Sequence, residues 1–410
     1  MPYYHRSLEP ALIAELDSAQ AMFIMGPRQV GKTTLLKHLM EIIGRQSCLF
    51  YDIERPQDLE LFSGGFDNVL ARLRMARVDA GRKTYVLIDE IQYLDDFSQI
   101  IKLLVDHHAN EFKLIMTGSS SALIRRQFKE SLVGRKKEFT LYPLNFEEFC
   151  RFKNESSIAG LLASGYVHSE SNPLNSMNIR MKQLLREYMQ FGGYPRVVLE
   201  ESLLGKAELL SDIVSSYVLK DIRHLFRIEK LDQFNQLIRV LSTSIGKEFS
   251  LQSLSQTIGL HRDTLQSYML VLESAYIIHT LRPFFNNPGK ELRKMPKLYF
   301  IDLGIRNCLL RDYREPEVRP DAGDLFENCV FLNLLHKQNA LSEMKYWKSK
   351  NYQEVDFVRI ENTQITAYEV KLGKDRQNHF RSFQALYPES ECYTVRYDYN
   401  YAPDDLPAWF

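Results

Sequence analysis

Cysteine is scarce in this chain, and neither sign of charge is in excess. The 410 residues include only five cysteines, and no two stand close enough in sequence for a zinc knuckle or a disulfide framework. A reducing compartment therefore fits the sequence best. Lysine plus arginine (52) equals aspartate plus glutamate (52), so bulk charge does not predict a protein that coats nucleic acid. A local basic groove is still compatible with this balance.

Long apolar runs are also missing. No stretch reaches the roughly 18 consecutive apolar residues that a membrane span needs, and the first residues lack the apolar segment of a signal peptide. We therefore expect a cytoplasmic protein without a membrane partner. Hydrophobic residues make up 45% and charged residues 25% of the chain, which excludes overall disorder and allows several packed domains.

Short apolar runs alternate with helical patterns in the first third of the chain. Such alternation predicts an α/β fold with a parallel sheet. Helical patterns dominate from residue 146 to residue 226, and three β-rich runs follow a helix near the C-terminus. The strands expected in the first third are Ala21–Met25, Ser47–Ile53, Tyr85–Asp89, Leu114–Thr117 and Phe139–Leu141.

A glycine-rich turn between the first strand and a helix carries the strongest motif. It matches G-x-x-x-x-G-K-[ST] in full, in the strand–turn–helix context that a phosphate-binding loop requires. Backbone N–H groups of such a loop and the positive end of the following helix hold phosphate oxygens. We expect Lys32 to reach the β and γ phosphates and Thr33 to offer its hydroxyl to Mg²⁺. The predicted nucleotide-binding residues of the turn are Gly26, Pro27, Arg28, Gln29, Val30, Gly31, Lys32, Thr33 and Thr34.

Polar residues end two further strands. We expect Asp89 to orient hydrated Mg²⁺ and Glu90 to polarise the attacking water as a general base. Thr117 or Ser119 is a candidate for a hydrogen bond to the γ-phosphate or to the water, and the alternative is a polar strand end that satisfies a turn. Arg135 is a candidate for stabilising transition-state charge, from this chain or from a neighbouring subunit. Its alternative is a solvated basic strand start.

These motifs resemble those of the prokaryotic AAA-plus ATPases that carry a C-terminal domain of unknown function. They resemble more distantly the signal-transduction ATPases with numerous domains. The resemblance covers nearly the whole chain. Its marks are the segments 26–34, 88–92, 117–120, 134–135, 141–149 and 192–195, together with the C-terminal constellation below.

The resemblance implies Mg²⁺-dependent binding and hydrolysis of ATP, with a helical lid after the core. It also implies that Gly193 and Pro195 touch bound nucleotide, although a helix stop explains the same turn. Arg6 is expected near the base. The predicted parts are a P-loop ATPase core at 1–150, a helical lid at 151–229, a winged helix at 230–285 and a small α/β nuclease-like domain at 286–410.

The middle module is predicted from two helices, Leu251–Ile258 and His261–Ser274, followed by the apolar strand Tyr276–Leu281. In DNA-binding winged helices the second helix enters the major groove. Its exposed start here carries Arg262 as the one fixed cation, and Asp263 would repel phosphate. The charges therefore favour packing against the core or a partner protein over DNA.

Carboxylates and a lysine cluster on adjacent strands near the C-terminus. Asp356, Glu369 and Lys371, with Glu327 from a helix, have the residue types that suit Mg²⁺ and an attacking water. Glu354 shares the strand face of Asp356 and is a rival. The pattern resembles the PD-(D/E)xK nuclease-like superfamily. An active nuclease, a non-catalytic module that binds nucleic acid or protein, and a salt-bridged hairpin are the alternatives.

Together these observations predict an ATP-driven switch. Hydrolysis is expected to change the lid angle and to move the winged-helix and C-terminal modules relative to the core. The first function class is an ATPase-coupled nuclease that acts on DNA or RNA, and the second is a non-cleaving regulatory ATPase. Lining of the C-terminal groove by basic residues would favour the first, and the candidates are Lys345, Lys348, Lys350 and Lys374. The expected partners are ATP, DNA or a protein, and a second copy of the chain if Arg135 acts in trans.

Overall fold

Two units divide the chain in the computed structural model. Unit 1 comprises Met1–Tyr142 and Ser274–Tyr276, and unit 2 comprises Pro143–Glu273 and Ile277–Phe410. The finer four-part division stays a prediction. The structure describes residues 3–77, 79, 81–94, 97–119, 132–164, 176–222, 226, 228–285, 294–349, 353–373, 380–397 and 405–409.

Unit 1 contains a five-stranded sheet in the order β2-β3-β4-β1-β5, and every pair in it is parallel. This confirms the predicted parallel sheet. All five residues of β1 are buried, as a central strand covered on both faces requires. The strands are β1 (Ala21–Met25), β2 (Cys48–Asp52), β3 (Thr84–Asp89), β4 (Phe112–Gly118) and β5 (Lys136–Thr140).

The strand register brings the carboxyl ends of the strands to one edge of this sheet. Met25 pairs with Gly118 on one side and with Thr140 on the other. Strand β5 begins three residues earlier than the sequence predicted, because its charged first residues pair with β1 at an edge of the sheet, which sequence periodicity does not reveal.

Helices of unit 1 connect these strands. Leu35, Leu36 and Leu39 form the buried face of α2, which follows the glycine-rich turn. The α-helices are α1 (Glu9–Ala14), α2 (Lys32–Ile43), α3 (Pro56–Ser63), α4 (Phe66–Ala76) and α5 (Ser98–His108), and 3-10 turns span Arg45–Ser47 and Ile91–Tyr93.

Unit 2 begins with helices and ends with a sheet. A π-helical segment, Val214–Asp221, follows α10, and a 3-10 turn spans Pro316–Val318. None of the described helices in the chain is both long and apolar enough to cross a membrane. The helices are α6 (Phe146–Phe152), α7 (Ser156–Ala163), α8 (Ser176–Phe191), α9 (Pro195–Leu199), α10 (Leu203–Ile213), α11 (Leu231–Ser242), α12 (Leu251–Ile258), α13 (Arg262–Ser274), α14 (Leu303–Leu310), α15 (Ala322–His336) and α16 (Arg381–Leu386).

Two sheets lie in unit 2. Strands β6 and β7 form an antiparallel pair. The other sheet has the order β12-β11-β10-β9-β8, antiparallel from β8 to β10 and parallel from β10 to β12. The predicted hairpin is therefore present as β9 and β10. The strands are β6 (Ile278–Leu281), β7 (Lys297–Phe300), β8 (Ser342–Lys348), β9 (Glu354–Glu361), β10 (Gln364–Lys371), β11 (Glu391–Arg396) and β12 (Asp405–Pro407).

Candidate functional site

The glycine-rich turn packs tightly against the end of β5. A Cβ atom added at Gly26 would lie 2.1 Å from the Leu141 carbonyl oxygen, closer than any side chain tolerates. The Leu141 N–H donates to the Met25 carbonyl at 2.7 Å and holds the two segments together. Only glycine fits at this position, so the loop is fixed where β1 ends.

Lys32 is the first residue of α2, and its side chain is buried under the turn. The residue is 4% exposed, and its Nζ donates to the carbonyls of Gly26 at 3.0 Å and Pro27 at 2.7 Å. Burial lowers the pKa of Lys32 to about 8, although the negative charges of Glu90 and Asp89 act to raise it. This ammonium therefore lies among the loop carbonyls, close to both carboxylates.

Arg6 braces the same loop from the N-terminal segment. The side chain is buried, and its Nη1 donates to the Val30 carbonyl while its Nη2 donates to the Tyr142 carbonyl, both at 2.8 Å. Both terminal guanidinium nitrogens of Arg6 therefore donate hydrogen bonds to backbone carbonyls. The contact of Arg6 with a base stays a prediction, whereas its contact with the phosphate loop has no local signal in the sequence.

The other turn residues differ in burial. Arg28 donates to the Tyr93 hydroxyl at 2.5 Å and is half-buried. Thr33, the second residue of α2, is half-buried, whereas Gln29 and Thr34 are exposed. Thr33 is therefore the less exposed of the two threonine hydroxyls at the start of α2, and its contact with a metal ion stays a prediction.

A chain of hydrogen bonds links the ends of β3 and β4. The Thr117 hydroxyl donates to the buried Asp89 carboxylate and accepts from the Glu90 N–H at 3.3 Å. Gln92 donates to the Glu90 carboxylate and accepts from the Ser119 N–H at 3.1 Å. Thr117 therefore touches both members of the acidic pair. Gln92 is an orienting residue that was not predicted, although it stands two positions after Glu90.

Arg135 lies away from these groups. Its carbonyl accepts from the Ala21 N–H at 2.8 Å, at the start of β1, and its Nε contacts the Asp106 carboxylate at 2.6 Å. The length of β1, five residues at about 3.3 Å each, places this edge roughly 15 Å from the phosphate loop. The structure therefore does not bring Arg135 to the loop of its own chain, and a role in trans stays a prediction.

The Gly193 turn belongs to unit 2. A Cβ atom at Gly193 would lie 2.2 Å from the Leu144 carbonyl oxygen, and the Gly193 N–H donates to the Asp302 carboxylate at 2.7 Å. Pro195 begins α9, where a proline lacks no helical hydrogen bond. Packing within unit 2 explains these residues, and their contact with nucleotide stays a prediction.

Lys297 occupies the centre of the C-terminal carboxylates. Its Nζ lies 3.0 Å from Glu327 and 3.5 Å from Asp356, and it also pairs with Glu354. Its side chain is only 3% exposed, and the surrounding negative charges raise its pKa well above the usual range despite burial. Tyr299, on the same strand, donates to Glu327 at 2.6 Å. The sequence pattern indicates the three carboxylates but not this lysine, which comes from a strand distant in the chain.

Glu369 and Lys371 project from β10 to the same cluster. Lys371 Nζ lies 2.8 Å from the Glu369 carboxylate, and the Val370 N–H donates to Asp356 at 2.8 Å. Burial and the nearby charge of Asp356 raise the pKa of Glu369 to about 8. Burial likewise raises the pKa of Glu327 to about 7, against the opposing effect of Lys297. The predicted residues therefore lie together, beside the ammonium group of Lys297. They are Glu327, Asp356, Glu369 and Lys371.

The basic residues near this cluster are paired with carboxylates. Lys348 contacts Glu248 at 2.8 Å and Glu354 at 3.5 Å, and Lys345 contacts Glu343 at 3.2 Å. Lys350 and Lys374 lie outside the described residues. The described lysines thus give little support to a nucleic-acid groove at this place.

Comparison with known families identifies the first part of the chain. Residues 18–150 match the family model described as an AAA domain. These residues form a P-loop ATPase domain of the AAA type. Residues 182–315 and 322–406 match two domains of unknown function, DUF8612 and DUF4143. The predicted resemblance to AAA-type ATPases with such a C-terminal domain is confirmed.

Relatives of similar length match most of this chain. An uncharacterized protein of Methanocaldococcus jannaschii is 27% identical over 341 residues, which cover 82% of this chain and 71% of the relative. One of Haemophilus influenzae is 24% identical over 378 residues, covering 90% and 86%. The Walker-type ATPase of Pyrococcus abyssi is similar in fold, with a TM-score of 0.50, 14% identity and coverage of 75% of this chain and 96% of that one.

The AAA-type domain has groups that fit a nucleotide with its metal ion. Gly26 lets the loop approach β5 closely, Lys32 supplies a buried positive charge, and the half-buried Thr33 hydroxyl stands at the start of α2. Asp89 supplies a buried carboxylate oxygen, the ligand type that Mg²⁺ prefers. This donor set matches phosphates and Mg²⁺.

Proposed function

We propose that this chain is a Mg²⁺-dependent ATP-binding and ATP-hydrolysing switch protein. The position of Lys32 carries the proposal, because its buried ammonium lies in the phosphate loop near the charges of Glu90 and Asp89. An ammonium there suits the β and γ phosphates, and the N-terminus of α2 adds its positive dipole.

Each acidic residue has a proposed role in hydrolysis. Thr33 and Asp89 would hold Mg²⁺, which neutralises developing phosphate charge when it is bound. Thr117 fixes the Asp89 carboxylate by donating to it. Glu90 acts as the general base that polarises the attacking water, and its hydrogen bond from Gln92 orients its carboxylate.

Two substitutions test this proposal. Lys32→Ala should abolish tight ATP binding measured by calorimetry, whereas Lys37→Ala, an exposed lysine of the same helix, should leave binding unchanged. Glu90→Gln should keep ATP binding but stop turnover, whereas Glu60→Gln, at an exposed glutamate, should keep both ATP binding and turnover. Hydrolysis by Glu90→Gln at the parent rate would show that another group is the base.

For the C-terminal domain we propose a non-cleaving role. Lys297 fills the space between Glu327, Glu354 and Asp356 that a metal ion would need, and it balances their charge. The ligand oxygens of Glu327, Asp356 and Glu369 do not all lie within 4.8 Å of one another. Both observations favour a structural ion-pair cluster over a nuclease centre.

Nicking of supercoiled DNA in Mg²⁺ or Mn²⁺ tests the role of this domain. We expect no cleavage by the parent protein or by Lys371→Ala. Cleavage by the parent that disappears in Lys371→Ala would establish a nuclease and overturn the proposal. Cleavage that persists in Lys371→Ala would point to a contaminating enzyme. In that case the parent protein, purified again, should no longer cleave the DNA.

We propose that the switch acts on a protein partner and not on DNA. Helices α11–α13 followed by the antiparallel β6–β7 pair support a winged-helix arrangement, and the exposed Leu270 of α13 is 58% accessible. His261 lies 3.6 Å from Asp263, so a carboxylate that would repel DNA phosphates stands at the start of that helix.

Duplex-DNA binding measured by fluorescence anisotropy tests this choice of partner. We expect weak, salt-sensitive binding; tight sequence-specific binding would instead identify DNA as the partner.

A further inference from the structure

A second cluster of metal-binding side chains lies in unit 1, apart from the phosphate loop. His5 and Glu9 come from the N-terminal segment and the start of α1, and His38 comes from α2. Among the described residues of the chain, these form a group of three whose ligand atoms all lie within 4.8 Å of one another. Residues 29 positions apart in sequence thus meet at one point.

The distances within this cluster suit a tetrahedral ion. His5 Nδ1 lies 2.9 Å and His38 Nε2 lies 3.5 Å from the same Glu9 oxygen, Oε2. Two ligands about 2.1 Å from a tetrahedral zinc ion stand roughly 3.4 Å apart. Small shifts of the exposed His5 side chain would therefore satisfy all three bonds, and a water molecule would supply the fourth.

Neighbouring groups hold the ligands in place. The other oxygen of Glu9, Oε1, accepts from the Tyr3 hydroxyl at 2.6 Å and from the Arg6 N–H, which leaves Oε2 directed at the imidazoles. The Tyr3 ring stacks on His38 with centroids 3.6 Å apart. Such supporting contacts orient ligands in protein metal sites.

We propose that His5, Glu9 and His38 bind a divalent transition-metal ion of the zinc class. Two imidazoles and one carboxylate favour Zn²⁺ or Co²⁺ over Mg²⁺, which prefers oxygen ligands. The ion ties the N-terminal segment to α2. Because Arg6 stands between two ligands and donates to the Val30 carbonyl, the bound metal also fixes the residue that braces the phosphate loop. The site does not depend on ATP hydrolysis by the chain.

Metal titration of the chelator-treated full chain, without nucleotide, tests this site. One equivalent of Co²⁺ should give the visible absorption of a tetrahedral ion, without the intense ultraviolet bands of thiolate ligands, and Zn²⁺ should displace it. His5→Gln, at a 69% exposed side chain, should fold normally and lose this spectrum. Tyr3→Phe should weaken Zn²⁺ binding about tenfold.

His261→Gln is the matched control, because His261 is an exposed histidine of unit 2 whose removal should leave the titration unchanged. His38→Gln should abolish binding, with thermal unfolding in chelator confirming that the variant is folded. Two results would overturn the proposal: absence of a stoichiometric Co²⁺ spectrum in the parent, or parent-like binding by His5→Gln. In either case the cluster would be a set of ion pairs only.

Discussion

Replacement of Lys297 by methionine should strongly destabilise unit 2. Methionine keeps much of the side-chain volume but leaves Glu327, Glu354 and Asp356 without their shared cation. Removing one partner from a buried ion pair costs roughly 3–5 kcal/mol, because the remaining charge stays desolvated. Since three carboxylates share this ammonium, we expect a loss of free energy of unfolding in that range.

The two tryptophans of the chain report on this loss selectively. Trp347 and Trp409 both belong to unit 2, and both are buried. Urea unfolding followed by tryptophan fluorescence therefore measures unit 2 without a contribution from tryptophans in unit 1. The midpoint should move to lower urea in Lys297→Met, with an unchanged slope.

A surface ion pair in the same unit provides the control. Lys247 lies 3.0 Å from Asp324 but is 59% exposed, so Lys247→Met should cost about 0–1 kcal/mol. Adding Glu327→Gln to Lys297→Met should recover part of the loss, because it removes one of the unbalanced charges. A loss below about 1 kcal/mol in Lys297→Met, or no recovery in the double variant, would refute a central role for this ammonium.

Two other predictions concern the phosphate loop and pH. Gly26→Ala should weaken ATP binding in calorimetry by at least roughly tenfold, because its methyl group would meet the Leu141 carbonyl at 2.1 Å; Gly160→Ala, where a methyl group meets no neighbour, should not. Raised pKa values of about 7 for Glu327 and about 8 for Glu369 mean that folded unit 2 binds protons that the unfolded chain releases. Its stability, measured by tryptophan fluorescence, should therefore fall as pH rises from about 5 to 8, between the unfolded and folded pKa values of these carboxyl groups, by up to about 1.4 kcal/mol per pH unit for each group, and should level off above that range. Glu369→Gln should flatten this dependence, and a flat profile for the parent would contradict the proposed burial of these carboxyl groups.

The local motifs of the sequence were sufficient for the first part of the fold. The glycine-rich turn between an apolar strand and an amphipathic helix predicted the phosphate loop, and the apolar run before Asp89 predicted a buried strand of a parallel sheet. Both predictions hold because these features lie within a few consecutive residues, where spacing alone determines strand, turn and helix.

Alternation along the C-terminal strands likewise predicted which carboxylates meet. Asp356 and Glu369 lie on neighbouring strands of a hairpin, and the period of two residues places them at one site. The sequence could not predict Lys297, since it reaches the cluster from a strand 59 residues before Asp356. An ammonium in that position changes the expected chemistry from metal binding to charge pairing.

The sequence by itself determined the phosphate-binding turn, the acidic pair at the end of β3 and the presence of a parallel sheet in the core, because each depends on patterns within short stretches of the chain. Tertiary structure alone decided that Arg6 braces the loop, that Arg135 stands at the far edge of the sheet and that Lys297 neutralises the carboxylates. Contacts between residues distant in sequence depend on how the elements pack, and no local pattern encodes that packing.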